Sequence, residues 1–157
     1  MKENDRLFVF LRHGIAEDGG PGVSDEQRGL TDDGHAQIEQ VARGLARVFP
    51  DAEAVYASPL VRAAQTAQWV ANAYGLDVTT AAALSTAAST EELIAFVETL
   101  SDSRAVLVGH EPSLLGILAT LLGGDPPVTL KRGGSYALRI RSGGAATLEW
   151  LVTPTLL

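Results

Sequence analysis

The sequence of 157 residues contains no cysteine. Disulfide bonds, thiolate zinc sites and a cysteine nucleophile are therefore excluded. Long apolar runs are also absent, since none approaches the roughly 20 residues that a transmembrane helix needs. The segment Met1 to Arg6 is mostly polar or charged, so we expect no secretory signal peptide. These features predict a cytoplasmic protein with no membrane partner.

Positive charge is scarce. Twelve Lys and Arg residues face nineteen Asp and Glu residues, which gives a net charge of −7. Nucleic-acid binding requires clustered cations, so we expect no nucleic-acid partner. Lys131 and Arg132 are adjacent cations that could steer anions, although a loop charge pair also explains them. Any anion-binding pocket must be built locally, which makes each arginine near a histidine a candidate.

Strands and helices alternate along most of the chain. Apolar runs and helical spacing predict strands at 5–13, 54–57, 77–80, 105–108, 136–140 and 147–152, and helices at 31–50, 58–74, 90–100 and 112–122. The helix at 58–74 is expected to start at Ser58 and Pro59, with serine as its cap. Such alternation favours an α/β sheet with helices on both faces. Length and an apolar content of 46% fit one domain over 1–157.

Polar side chains follow three of the predicted strands directly. Arg12 and His13 end the first strand, Ser58 follows the second, and His110 follows the strand at 105–108. Burying an unpaired cation in a strand is costly, so the end of the first strand should be the mouth of an anion site. Ligands of α/β sheets bind at the carboxyl ends of the strands. We therefore expect these side chains to share one pocket.

Arg62 joins this group because it is expected about one turn into the helix that starts at Ser58. Two arginines and two histidines suit one tetrahedral anion, since a guanidinium donates two parallel hydrogen bonds to phosphate. One histidine can attack phosphorus while the other donates to a phosphoryl oxygen, without metal or cofactor. A histidine with an ordinary pKa would lose this activity below about pH 6, and nearby arginines would move that limit lower.

The chain resembles the histidine phosphatase superfamily in four motifs that occur in the order of the family. The motifs are Leu11-Arg12-His13-Gly14, Arg28-Gly29-Leu30-Thr31 with Gly34, Ser58 through Ala67, and Val108-Gly109-His110-Glu111-Pro112. The resemblance implies a phosphoglycerate mutase-like fold, which is a three-layer α/β sandwich with a mostly parallel central sheet. It also implies that His13 is the phosphorylated nucleophile and that Arg12, Arg62 and His110 complete the phosphate pocket.

The short chain and the stretch 84–100 look like the SixA-type phosphohistidine phosphatase branch. Related sugar phosphatases usually carry a longer insertion there, with a glutamate as general acid. A site without a strong acid favours phosphohistidine, whose protonated imidazole leaves readily, over an alkyl phosphate. The expected partner is a phosphohistidine protein, with inorganic phosphate as product. A phosphomonoesterase acting on a small phosphate ester and a non-catalytic phosphate- or partner-binding module are the alternatives.

Three carboxylates are candidates for proton transfer or substrate binding. Glu17 and Asp18 lie in the loop after the predicted nucleophile, and Glu111 follows His110. A solvated loop position or a helix-capping role also explains each of them. The identity of a general acid is therefore open at this stage.

The loop around Arg28 allows more than one interpretation. Arg28 could line the mouth of the pocket or pair with Asp25 or Glu26. Ser58 is expected to cap a helix and could also hydrogen-bond a pocket residue. The glycine-rich segment 17–28 could be a mobile lid, a docking surface for a protein substrate or an ordinary surface loop.

Overall fold

The computed structural model describes residues 4–157. Within this range a six-stranded sheet carries four α-helices on its two faces. The strands are β1 (Arg6–Arg12), β2 (Ala54–Ala57), β3 (Val78–Thr80), β4 (Arg104–Gly109), β5 (Ser135–Ile140) and β6 (Ala146–Val152). The helices are α1 (Asp32–Val48), α2 (Val61–Tyr74), α3 (Thr90–Thr99) and α4 (Ser113–Leu122). Short 3₁₀ turns occupy Asp25–Gln27, Ala82–Leu84 and Pro154–Leu156.

The strands lie in the order β3-β2-β4-β1-β5-β6. The pairs β2–β3, β2–β4 and β1–β4 are parallel, whereas β5 is antiparallel to both β1 and β6. The expectation of an α/β sheet with mostly parallel pairing is confirmed. The antiparallel pairing of β5 with β6 follows from the short turn at 142–144 that connects these two strands directly. Because β1, β2 and β4 run parallel, their carboxyl ends meet along one edge of the sheet.

Strand β1 is buried on both of its faces. Val9 and Leu11 pack with the helices α1 and α2, whereas Phe8 and Phe10 pack with α3 and α4. Each of these four side chains is 0% exposed. A parallel strand covered by helices on both sides needs apolar residues at every position, which explains the unbroken apolar run in the sequence. The end of β1 is therefore held in a rigid environment.

Helix α2 begins later than the sequence predicts. The expected start at Ser58 and Pro59 is wrong, because the helix begins at Val61 with Leu60 as its N-cap residue. The hydroxyl oxygen of Ser58 accepts a hydrogen bond from the backbone N–H of Leu60 at 3.2 Å, and it also contacts His110. Arg62 is therefore the second residue of α2 instead of lying one turn inside it.

The predicted cap of α1 is confirmed, since the Thr31 hydroxyl oxygen accepts a hydrogen bond from the N–H of Gly34 at 2.9 Å. Two close approaches then fix this helix behind β1. A Cβ atom at Gly34 would lie 2.1 Å from the carbonyl oxygen of Ile15, and one at Gly14 would lie 2.5 Å from Ile38 Cγ1. Glycine at these positions lets α1 pack directly against the chain that follows His13.

Candidate active site

The structure brings the four predicted pocket residues together. Arg12 is paired with Gly109 in the parallel ladder between β1 and β4, so the residues that follow, His13 and His110, emerge side by side. Their ring centroids lie 5.2 Å apart. Arg62 reaches the same place from the start of α2. The lining of the cavity, which measures about 270 Å³, consists of Arg12, His13, Ala16, Arg28, Arg62, Thr86, His110, Glu111 and Arg132.

The cavity has a buried polar floor and an exposed rim. His13, Arg62 and His110 are 7%, 5% and 3% exposed, whereas Thr86 and Arg132 are exposed. Charged groups in such a floor are screened less by water than groups on the surface. An anion that enters from the rim therefore meets a strong local positive potential despite the net negative charge of the chain.

The hydrogen bond of His13 fixes which ring nitrogen is free. Its Nδ1 lies 2.8 Å from the carbonyl oxygen of Gly14. A carbonyl oxygen only accepts hydrogen bonds, so Nδ1 must carry the proton. In the neutral ring, Nε2 then has the unprotonated lone pair that a nucleophile needs.

The pKa of both pocket histidines is far below the ordinary value. Burial, opposed by the Gly14 hydrogen bond and assisted by the positive charge of Arg62 and Arg12, lowers the pKa of His13 to about 4. Burial and the neighbouring His13 lower the pKa of His110 to about 3. Both rings are therefore neutral near pH 7, and a limit near pH 6 for the neutral nucleophile is too high.

We expect the ¹⁵N NMR signals of His13 and His110 to stay those of neutral rings as the pH falls from 7 to 5. The chain has only three histidines, so single variants assign each signal. The unfolded rings take up protons near pH 6.5 whereas the folded rings do not, so the free energy of unfolding should decrease below that pH. A His13 midpoint near 6.5 contradicts this prediction.

Arg62 is held in place by the 17–28 segment. Its Nη1 donates to the carbonyl oxygen of Asp25 at 2.8 Å and its Nη2 donates to Asp25 Oδ2 at 3.1 Å. Arg28 donates to Asp25 Oδ1 at 2.8 Å and, through Nε, to the carbonyl oxygen of Glu17 at 2.6 Å. The hydrogen bonds from Arg28 and Arg62 lower the pKa of Asp25, which keeps its carboxylate charged.

Both interpretations of Arg28 are thus correct, because this side chain lines the cavity and also pairs with Asp25. The 17–28 segment is attached to the pocket wall through Asp25 and through a backbone hydrogen bond of 2.8 Å from the N–H of Glu17 to Gly29 O. Its roles as a lid or a docking surface stay predictions.

Two pocket nitrogens are buried without a hydrogen-bond partner among residues 4–157, namely Arg12 Nε and His110 Nδ1. Arg12 Nη1 donates to the carbonyl oxygen of Leu130 at 2.8 Å, which fixes its guanidinium. Ser58 Oγ lies 2.7 Å from His110 Nε2 and can donate its hydroxyl proton to that atom. His110 Nδ1 then carries the ring proton. Arg12 Nε is thus a donor without a protein partner, and His110 Nδ1 is a second one in the tautomer that accepts from Ser58.

The candidate carboxylates have different positions. Glu111 lines the cavity and accepts a hydrogen bond from the N–H of Leu115 at 3.2 Å. Burial raises the pKa of Glu111 against the opposing effects of that hydrogen bond and of Arg12. Glu17 and Asp18 are exposed loop residues and are not part of the cavity lining. The structure thus brings one of the three candidates to the pocket.

The sequence gave no site role to two residues of the site and named a third, Arg132, only as a cation that could steer anions. Thr86 and Arg132 line the cavity, and Asp25 orients Arg62. Thr86 lies in the stretch 81–89, whose weak hydrophobic pattern predicts neither a helix nor a strand and contains no motif that would indicate a site residue. Arg132 and its neighbour Lys131 lie in an exposed loop, and neither forms an ion pair within the described range.

Two other kinds of site are absent from the described residues. No group of three or more His, Asp or Glu residues within 4–157 is arranged to hold a metal ion. None of the helices in that range has the length and apolar character required to cross a membrane. The cytoplasmic location stays a prediction from the sequence.

The arrangement can bind a tetrahedral oxyanion and attack it. Arg12, Arg62 and His110 supply donors around the oxygens, and His13 presents a neutral nitrogen beside them. This combination provides both electrostatic stabilisation and a nucleophile for phosphoryl transfer.

Comparisons with known proteins agree with this chemistry. The family model described as histidine phosphatase superfamily (branch 1) matches residues 8–88. An uncharacterised protein of Picosynechococcus sp. strain PCC 7002 is 33% identical over 148 residues, which are 90% of this chain and 88% of that protein.

Solved structures show the same fold. A protein assigned provisionally as the phosphohistidine phosphatase SixA of Agrobacterium tumefaciens has a TM-score of 0.83 and 25% identity, covering 95% of this chain and 98% of that one. The protein histidine phosphatase SixA complexed with tungstate has a TM-score of 0.86 and 23% identity, covering 96% and 98%. At 23% identity the second likeness supports the fold alone.

Proposed function

Since the chain belongs to the histidine phosphatase superfamily (branch 1), we propose that it removes the phosphoryl group from phosphohistidine in a protein. As a member of this family it is a hydrolase that acts on phosphoryl groups without a metal ion. This favours a catalytic phosphatase over the alternative of a non-catalytic binding module. We also propose that 1–157 forms one catalytic domain, since a single sheet carries both core clusters.

The reaction begins with attack by His13 Nε2 on phosphorus. The P–N bond of the substrate breaks, and its protonated imidazole leaves as a neutral ring. Arg12, Arg62 and His110 donate hydrogen bonds to the phosphoryl oxygens while charge develops on them. Water then attacks the phosphoryl group on His13, which releases inorganic phosphate and restores the neutral nucleophile. The hydrogen bond from Nδ1 to Gly14, at 2.8 Å, is the observation that supports this role most directly.

The open rim supports a protein as the substrate. Nine residues, 81–89, connect β3 to α3, and the rim residues Thr86 and Arg132 are exposed. A histidine side chain on the surface of another protein can reach the floor of such a pocket. The likeness to a provisionally assigned phosphohistidine phosphatase at 25% identity adds to this support.

Glu111 supports a second candidate function, the hydrolysis of small phosphate esters. An alkoxide is a poor leaving group that requires a proton. Glu111 lines the cavity and burial raises its pKa, which favours the protonated acid that could supply it. The structure thus offers a general acid to a reaction for which the sequence gave no clear donor.

A substrate panel with one variant separates the two functions. We expect kcat/KM for a phosphohistidine peptide to exceed that for a panel of alkyl phosphates by at least about 10-fold. Glu111→Gln should leave the phosphohistidine rate within about threefold, because that leaving group does not need an enzyme acid. Glutamine retains an oxygen that accepts from Leu115.

The opposite result would support the ester phosphatase. In that case an alkyl phosphate is the better substrate of the native chain, and Glu111→Gln lowers its kcat by about 10²-fold or more.

A further inference from the structure

A second depression lies directly beside the phosphoryl pocket. It measures about 340 Å³, and its lining consists of Arg12, Ile15, Gln37, Lys131, Arg132 and Pro154. Arg12 and Arg132 line this groove and the pocket alike. The two depressions are therefore adjacent, and a ligand whose phosphoryl group is in the pocket has the groove beside it.

The groove carries positive charge that no carboxylate neutralises. Lys131 and Arg132 are exposed, and within 4–157 their side chains form neither a hydrogen bond nor an ion pair. The arginines outside the pocket have partners: Arg43 and Arg139 pair with carboxylates. Arg6, Arg47 and Arg104 donate to backbone carbonyl oxygens, and Arg141 donates to a threonine hydroxyl. The chain has a net charge of −7. Beside the anion pocket, however, it carries two adjacent cations whose side chains have no partner among residues 4–157.

The backbone that carries these cations is attached to the catalytic strand. The N–H of Gly133 lies 3.0 Å from the carbonyl oxygens of both Arg12 and His13. Gln37 Nε2 donates to the carbonyl oxygen of Arg132 at 3.1 Å. The backbone that carries the two positive charges thus has a defined position relative to the nucleophile, which suits these side chains to select a substrate by the placement of its charge.

We propose that Lys131 and Arg132 bind an acidic side chain that lies within about three residues of the phosphohistidine in a protein substrate. This inference rests on the proposed function. The floor of the pocket takes the phosphoryl group, which leaves the adjacent groove for a second anionic group of the same substrate. Ile15 and Pro154 offer apolar contacts to the peptide between the two charges.

The experiment compares two phosphohistidine peptides that differ only in flanking Asp and Glu against Asn and Gln. The native chain should prefer the acidic peptide by about 3- to 10-fold in kcat/KM, and higher ionic strength should reduce this preference. Lys131→Glu should lower kcat/KM for the acidic peptide by about 10-fold, mainly through KM, and change that for the neutral peptide less than about twofold. Lys131→Gln should give a smaller loss of the same kind.

Arg43→Glu is the matched control, because it makes the same charge change as Lys131→Glu on the outer face of α1. It should leave the preference for the acidic peptide unchanged. Turnover of the neutral peptide by Lys131→Glu shows that the variant is folded.

Two results overturn the inference in distinguishable ways. If the native chain dephosphorylates both peptides equally, or if Arg43→Glu has the same effect as Lys131→Glu, the groove does not select acidic segments while the proposed function stands. If neither peptide is dephosphorylated, the proposed function fails and the inference fails with it.

Discussion

We expect phosphatase activity to fall by at least about 10³-fold in the His13→Ala variant, on any substrate that the native chain hydrolyses. Alanine removes the nitrogen that attacks phosphorus, and no other nucleophilic nitrogen in the pocket has the same position, since His110 Nε2 contacts Ser58. Steady-state release of inorganic phosphate measures the loss. Mass spectrometry of the native chain, quenched during turnover in alkali, should show one added phosphoryl group that His13→Ala lacks.

His35→Ala provides the matched control. His35 lies on α1, and its Nδ1 accepts a hydrogen bond from Trp69 Nε1 at 3.0 Å, so the same chemical change occurs outside the pocket. Its kcat should stay within about threefold of the native value. Full activity in His13→Ala, or the same loss in both variants, would show that the nucleophile is assigned wrongly.

We also expect a large loss of kcat in the Arg62→Ala variant. Removing a single donor that stabilises a developing oxyanion typically lowers kcat by about 10²- to 10³-fold, and Arg62 lies in the buried floor at 5% exposure. Arg62→Lys should recover only part of the loss, because an ammonium group lacks the planar fork that binds two oxygens. Phosphate inhibition should weaken in parallel, since the product occupies the same place.

Arg47→Ala is the control for the loss of an arginine. Arg47 is exposed in the last turn of α1, where it donates to the carbonyl oxygen of Leu157 at 3.2 Å. We expect no more than about a twofold change in kcat. If Arg62→Ala keeps near-native kcat and phosphate affinity, the guanidinium is not part of the phosphoryl site.

Much of the site can be predicted from the sequence because its residues directly follow hydrophobic runs that indicate buried strands. Arg12, His13 and His110 follow apolar strands, and strand ends are easy to locate from hydrophobic runs. The start of α2 shows the limit of this reasoning. Ser58 has the sequence signature of a cap, but its hydroxyl instead bonds to Leu60 and His110, a tertiary contact that local propensity does not contain.

The sequence by itself determined the alternation of strands and helices, the strand ends that carry the polar residues, and the family. The tertiary structure decided how those residues meet, because the register of β1 against β4 places His13 beside His110. It also decided their protonation, since burial is a property of the assembled fold and lowers the pKa of both rings. Arg132 joins the pocket through contacts between distant segments, which local sequence does not contain. The backbone N–H of Gly133 and the side chain of Gln37 donate the hydrogen bonds that hold its loop against the nucleophile.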